Sequence, residues 1–187
     1  MPLPADAELI GRIQSGDKHA KGALFERYWR GVYLYCVRLL VDPDEANDAA
    51  QNTLIKGLDS LASLDRPEAF RSWIFMIARN EVFTLLRGKR RNGTEQLENY
   101  SDTLTDTPTP FDETVSNERT EIIRQALLRL KPEFREVIVL REYEQLTYLE
   151  IAAVTGCTES AVKSRLFHAR KAMLEQIRPY FREREKP

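Results

Sequence analysis

The sequence is poor in glycine, proline and cysteine, with 8, 9 and 2 residues respectively among 187. Scarce glycine and proline, with only short β-branched runs, favour α-helices because glycine and proline interrupt them. No apolar run approaches the roughly 18 residues that a membrane span needs. The first residues also lack the basic and apolar regions of a signal peptide. We therefore expect a cytoplasmic helical protein that is not embedded in a membrane.

The candidate metal ligands and nucleophiles are also few and scattered. Cys36 and Cys157 lie far apart in the sequence, and His19 and His168 are equally isolated. A metal site needs more ligands at closer spacing, so we expect reduced thiols, no metal and no cofactor. Because no nucleophile–base pair or phosphate loop can be assembled either, the chain is not expected to be an enzyme.

Charge is unevenly distributed along the chain. Residues 93–118 contain seven acidic residues and no Lys or Arg, whereas the net charge of the whole chain is only −1. The remainder therefore carries +6, with basic clusters around residues 87–91 and 163–171. An acidic segment between two basic regions has to be explained by any function assigned to the chain.

Apolar periodicity divides the chain into two helical parts. Helical stripes cover residues 7–40, with a break near Gly16, then a helix that begins at Asp42-Pro43, with Glu45 at the capping-box position, and a third that runs from Pro67 to Gly88. Between residues 93 and 117 the apolar periodicity is lost, and the segment is rich in Thr and Pro. We predict an all-α fold of two small domains, 1–92 and 118–187, joined by a flexible acidic linker over 93–117.

The second half carries a helix-turn-helix pattern. Thr147 and Glu150 form a capping box for a short helix, Gly156 suits the left-handed residue that ends it, and Thr158 caps the last helix. The last helix then presents a polar and basic face where recognition helices meet DNA bases. The alternative is a solvated amphipathic helix that closes a small bundle. Candidate DNA contacts on this face are Ser160, Lys163, Ser164, Arg165, Phe167, His168, Arg170 and Lys171.

Residues 130–174 resemble the domain of bacterial sigma factors that reads the −35 promoter element, in particular the runs FREV, YLEIA and VKSRLFHAR. The runs DPDEANDAAQNTLIKGLDSL (42–61) and FRSWIFMIARNEVFTLLRGKRR (70–91) resemble the domain that binds the −10 element. With both domains in order and no others, the chain resembles the extracytoplasmic-function (ECF) group. The resemblance implies a sigma region 2 bundle and a sigma region 4 helix-turn-helix.

The resemblance also implies roles for particular residues. Docking on a coiled coil of the largest subunit of core RNA polymerase falls to Ala46, Asp48 and Gln51. Binding and melting of the −10 element falls to the third long helix, through Arg79, Asn80, Arg87, Lys89, Arg90 and Arg91. The sequence departs from the family at Thr84 and His168, where acidic and basic residues respectively are frequent, so fine promoter preference is not transferred.

The implied partners are core RNA polymerase, promoter DNA and an anti-sigma factor. The acidic linker is expected to occupy the positively lined RNA path of polymerase, or else to be a solvated tether. Since it offers few apolar residues, we expect variable separation of the two domains in the free chain. Two rival functions remain at this point: an autonomous helix-turn-helix regulator, which leaves the first 92 residues unexplained, and a sigma mimic that sequesters an inhibitor.

Overall fold

The computed structural model describes residues 4–91 and 118–182, and within them the chain is helical without strands. The first lobe comprises α1 (Asp6–Gln14), α2 (Lys18–Leu40), α3 (Pro43–Asp59) and α4 (Phe70–Arg91), with 3₁₀ turns at Leu61–Ser63 and Pro67–Ala69. The second lobe comprises α5 (Glu118–Leu128), α6 (Pro132–Ile138), α7 (Tyr148–Thr155) and α8 (Glu159–Arg182). The predicted all-α fold is confirmed, whereas the predicted linker over 93–117 lies outside the described residues.

Local signals set the helix boundaries of the first lobe. Gly16 adopts φ 92°, and the Asp17 carboxylate then caps α2 by accepting hydrogen bonds from the amides of His19 and Ala20. Asp42 caps α3 in the same way, with Pro43 in the first turn, as the sequence predicts. The chain therefore turns back on itself at residues whose side chains replace missing helical hydrogen bonds.

Close approach of helices organises the core of this lobe. Ala46 and Ala50 are fully buried on α3, where small side chains let the neighbouring helices α2 and α4 come near. Further along the same face of α3, a Cβ added to Gly57 would lie 2.4 Å from Cδ1 of Ile74, so α4 packs directly on this glycine. These contacts fix the direction of α4, the helix that carries the predicted −10 residues.

The second lobe contains the predicted helix-turn-helix. Thr147 and Glu150 form the capping box that opens α7, Gly156 ends it at φ 65°, and the Thr158 hydroxyl accepts a hydrogen bond from the amide of Ala161. Residues Val139–Tyr143 form a π-helical turn between α6 and α7, which periodicity did not predict. Such insertions recur at functional sites. Here the turn carries Glu142 and is followed by Glu144, and the two glutamates meet different neighbours.

The two lobes pack against each other, contrary to the expectation of variable separation. Helix α4 contacts α7, and α2 contacts both α6 and the π turn. A buried arginine crosses the boundary: Arg135 donates hydrogen bonds to the carbonyl oxygens of Leu39 in the first lobe and Leu130 in the second, both at 3.2 Å. Direct contacts between side chains of the two lobes therefore hold them in one arrangement.

Both cysteines are free thiols, Cys36 in the core and Cys157 half-buried, as expected. Among the described helices, none is both long and apolar enough to cross a bilayer.

Candidate nucleic-acid interface

The polar face of α8 is open to solvent in the structure. Val162, Leu166 and Ala169 are buried on the opposite side of the helix, which fixes its rotation. Arg165 is half-buried, and the other residues predicted to contact the −35 element are exposed, namely Ser160, Lys163, Ser164, Phe167, His168, Arg170 and Lys171. The structure thus brings the predicted set, except Arg165, together on the exposed side of α8.

Contacts within the lobe hold two of these cations in defined positions. Lys163 pairs with Glu159 at 2.9 Å and lies over the ring of Tyr148. Arg170 pairs with Glu142 of the π turn at 2.6 Å, and this hydrogen bond raises the pKa of Arg170. Both pairs are exposed, so they orient the cations without removing them from solvent.

An aromatic pair stands between them on the same face. Phe167 is 65% exposed, an unusual position for a large apolar side chain, and its ring meets that of His168 edge-on at 5.4 Å. The His168 ring also stacks on Phe134 of α6, with centroids 6.5 Å apart. Flat apolar rings beside Lys and Arg suit contact with bases flanked by phosphates.

The predicted −10 residues divide into two groups. Asn80, Arg87, Arg90 and Arg91 are exposed along α4. Lys89 is half-buried and pairs with Glu45 of α3 at 2.6 Å, which places the Glu45 carboxylate away from the capping role predicted for it. Arg79 is also half-buried, and its Nε lies 2.9 Å from Oε1 of Glu136 in the second lobe.

The predicted docking residues also differ in exposure. Asp48 and Gln51 are exposed on α3, whereas Ala46 is completely buried. The side chain of Ala46 therefore offers no surface to a partner, and its small size lets neighbouring helices approach α3. Gln51 lies beside an apolar groove of about 350 Å³ lined by Phe25, Trp29 and Ile55. Apolar periodicity did not predict this groove. The available signal was Ile55, an apolar residue outside the buried stripe of α3.

A buried polar cluster between the lobes was missed by sequence reasoning. The side chain of Glu136 is fully buried and accepts a hydrogen bond from the Tyr35 hydroxyl at 3.0 Å. Burial raises the pKa of Glu136 to about 7, against the lowering effects of Arg79, Tyr35 and Arg165. One signal was available: Glu136 lies in the run Phe134–Leu140, which is apolar almost all round, so that charged residues within it need partners.

A second buried carboxylate, that of Glu144, directly follows the π turn. Glu144 is 9% exposed, and burial raises its pKa against the charges of Arg38 and Arg71. Arg71 of α4 donates a hydrogen bond to the main-chain oxygen of Glu144, and the Arg38 guanidinium lies 4.0 Å from the centre of the Tyr143 ring. The boundary between the lobes is therefore rich in charge.

Comparison with known proteins places both lobes in one class. The family model for "Sigma-70 region 2" matches residues 24–92, and that for "Sigma-70, region 4" matches residues 120–173. Together they cover more than half of the chain, which is thus of the sigma-70 class. The chain is also 31% identical over 177 residues to the ECF RNA polymerase sigma factor SigW of Bacillus subtilis, covering 90% of this chain and 95% of that protein. The chain therefore belongs to the ECF group of the sigma-70 family of RNA polymerase sigma factors.

Two solved structures share the fold. One is the sigma factor RpoE in complex with the anti-sigma factor NepR from Bartonella quintana, with a TM-score of 0.71, 24% identity, and coverage of 84% of this chain and 96% of that one. The other is CnrH in complex with the cytosolic domain of CnrY, with a TM-score of 0.70, 25% identity, and coverage of 94% and 99%. Coverage this broad includes both lobes in each comparison.

Proposed function

We propose that this chain binds core RNA polymerase and directs it to promoters by recognising a −35 and a −10 element. Residues 1–92 are assigned polymerase docking and the −10 element, residues 118–187 the −35 element, and residues 93–117 the linker. The observation that carries the proposal is the presence of two basic, polar helix faces, on α4 and α8, in two lobes of an ECF family member. Like the sigma factors it resembles, the chain is assigned no catalysis of its own.

Reading of the −35 element is assigned to the exposed face of α8. The N-terminal half of a recognition helix contacts base edges, which assigns Ser160, Lys163 and Ser164 to bases. Arg170 and Lys171, further along the helix, are assigned to phosphates, where their charge adds affinity without sequence preference. Phe167 is suited to apolar contact with a thymine methyl group.

Capture of the −10 element is assigned to α4. Asn80, Arg87, Arg90 and Arg91 offer exposed donors along one helix, and a melted strand exposes the full hydrogen-bonding edges of its bases. Arg79 belongs to the same set, but in the described arrangement it pairs with Glu136.

Docking on the coiled coil of the largest polymerase subunit is assigned to Asp48 and Gln51. The groove beside Gln51, lined by Phe25, Trp29 and Ile55, gives this polar edge an apolar centre. An apolar patch with a polar rim is typical of protein interfaces. Ala46 contributes only by letting neighbouring helices pack closely on α3.

An anti-sigma factor is proposed as a further partner, and the acidic linker is proposed to occupy the RNA path of polymerase. Support for the first comes from the Bartonella structure, a sigma factor solved with an anti-sigma factor, whose fold this chain shares over 84% of its length. Support for the second is the charge of the linker, since the run 93–117 contains no Lys or Arg.

Reconstitution with core polymerase tests the proposal. Run-off transcription on a genomic promoter library should show initiation at a discrete set of sites that core enzyme alone does not use. A matched control is the double variant Asp48→Ala/Gln51→Ala, which keeps α8 intact and should lower initiation at all these sites together. Absence of any initiation above core enzyme would overturn the proposal, and tight duplex binding by the chain alone would favour an autonomous regulator.

A further inference from the structure

The contact between the lobes contains charged side chains that are withdrawn from water, beside an apolar core that both lobes share. Arg135 is 3% exposed and donates across the boundary to the carbonyl oxygen of Leu39. Arg71 donates in the other direction, to the main-chain oxygen of Glu144. The lobes therefore meet through buried polar contacts as well as apolar ones.

Glu136 lies at the centre of this contact. Its carboxylate meets the Arg79 guanidinium of α4 at 2.9 Å and the Tyr35 hydroxyl of α2 at 3.0 Å, and the charge of Arg165 on α8 also acts on it. Two of these three groups are residues assigned to DNA, one from the −10 set and one from the −35 set. A carboxylate thus takes the place beside Arg79 where a strand of DNA would present negative charge.

A buried ion pair of this kind determines how the two lobes are oriented more than it stabilises their contact. Removing the carboxylate from water has a large free-energy cost, and attraction to a nearby cation offsets it only with good geometry. Here Oε2 of Glu136 is buried and makes no hydrogen bond within the described part of the chain. Removing one partner, by contrast, leaves an uncompensated buried charge, which is strongly destabilising. The pair therefore fixes how the lobes meet while adding little to the free energy that holds them together.

The closed arrangement is also too small for a promoter. A compact chain of this length has a radius of gyration of about 16 Å, hence a diameter of about 40 Å. Positions −10 and −35 are about 85 Å apart along B-DNA at roughly 3.4 Å per base pair. Lobes in direct contact cannot reach both elements together, so binding requires that they separate.

We propose that the closed arrangement is a self-inhibited state of the free chain, held in register by the bridge from Glu136 to Arg79 and Tyr35. Promoter engagement then has to break this bridge, which frees Arg79 for DNA as the lobes separate. The claim that closure inhibits DNA binding rests on the proposed function, whereas the bridge between the lobes does not depend on it.

Single-molecule energy transfer between dyes on the two lobes tests the bridge. Cysteines introduced at the exposed positions Ala23 and Glu175 carry the dyes, in a background with Cys157→Ser. In the Glu136→Lys variant, a cation faces Arg79, and we expect the closed population to fall at least about tenfold. Glu133→Lys makes the same charge change at an exposed position on the same helix and should leave the population unchanged.

Two further variants separate opening from misfolding. The exchange Arg79→Glu/Glu136→Arg restores opposite charges and should recover closure relative to Glu136→Lys. Tyr35→Phe keeps the buried ring but removes the hydrogen bond to Glu136, and should reduce closure less than Glu136→Lys does. Unchanged energy transfer in both Glu136→Lys and Tyr35→Phe, with helical content intact, would overturn the bridge.

Binding of a fluorescent 12-nucleotide single strand of random sequence tests inhibition. Free Glu136→Lys should bind it several-fold more tightly than Glu133→Lys, because both variants add one lysine but only the first frees Arg79. Equal affinity would overturn inhibition even if the lobes open. Failure of the wild-type chain to initiate with core polymerase would count against the proposed function instead, because the energy-transfer result does not depend on polymerase.

Discussion

Arg135 and Leu39 are joined across the boundary of the two lobes, with Nη1 of the arginine 3.2 Å from the carbonyl oxygen of the leucine. The same guanidinium donates to the carbonyl oxygens of Leu128 and Leu130. One planar side chain thus ties the end of α2 to the turn between α5 and α6.

Arg135→Lys should therefore lower the free energy of unfolding by about 2–4 kcal/mol, because an ammonium group cannot reproduce the forked donors of a buried guanidinium. Thermal or urea unfolding of the whole chain measures the effect. Arg129→Lys, at an exposed position shortly before α6, is the matched control. Equal stability of the two variants would contradict the structural role of Arg135.

Closure should depend on pH through Glu136. Its pKa is about 7 in the closed form against an ordinary value of 4.5, so the closed form binds more protons between these values. Lowering the pH from 8 toward 5 should therefore favour closure, by on the order of 3 kcal/mol at most. The groups that face Glu136 are Tyr35, Arg79 and Arg165. Burial also raises the pKa of Glu144, so this carboxyl acts in the same direction.

Energy transfer between the lobes from pH 5 to 8 measures this dependence. Glu136→Gln should flatten the profile, because the amide does not titrate. A profile in which closure increases with pH, or one that Glu136→Gln leaves unchanged, would contradict the assignment.

Two glycines of α2 offer a matched comparison. A Cβ at Gly31 would lie 3.1 Å from Oε2 of Glu144, whereas a Cβ at Gly22 would meet nothing within 4 Å. Gly22→Ala should stabilise the protein by about 1 kcal/mol through helix propensity. Gly31→Ala should in addition shift the lobes toward the open state, because the added methyl group crowds Glu144. The same inter-lobe distance distribution in both variants would show that Glu144 moves aside freely.

On α8, Lys163→Ala/His168→Ala should weaken discrimination between a native and a scrambled −35 element, by about 1–3 kcal/mol for each base that the variant no longer touches. Competition binding of holoenzyme to the two promoters measures the ratio. Glu175→Ala, exposed further along the same helix, should leave it unchanged. An unaltered ratio in the double variant would place the base-reading residues elsewhere on the helix.

On α3, Asp48→Ala/Gln51→Ala should reduce affinity for core polymerase without changing stability, since both side chains are exposed. Competition against the unlabelled wild-type chain measures affinity. Asp59→Ala removes an exposed carboxylate from the same helix and serves as the control. Full affinity in the double variant would remove these residues from the docking surface and leave the apolar groove as its candidate.

The individual lobes could be predicted because their determinants are local. Asp42, Thr147 and Gly156 act within a few residues of their own positions, through caps and one left-handed turn. The rotation of α8 also follows from sequence, since assigning Val162, Leu166 and Ala169 to the core leaves the polar face outward. The resemblance then supplied roles that periodicity alone does not contain.

The sequence by itself determined two helical units, the caps of several helices and the polar face of α8, because each depends on neighbours within one or two turns. Only the tertiary structure decided that the lobes close and that Ala46 has no exposed surface. The tertiary structure also decided that Arg79 pairs with Glu136. Tyr35 and Glu136 are 101 positions apart, and no periodicity links them. The sequence does not distinguish a glutamate that will be buried from one that will be solvated. Glu136 is buried only because distant helices bring a cation and a hydroxyl group to its carboxylate.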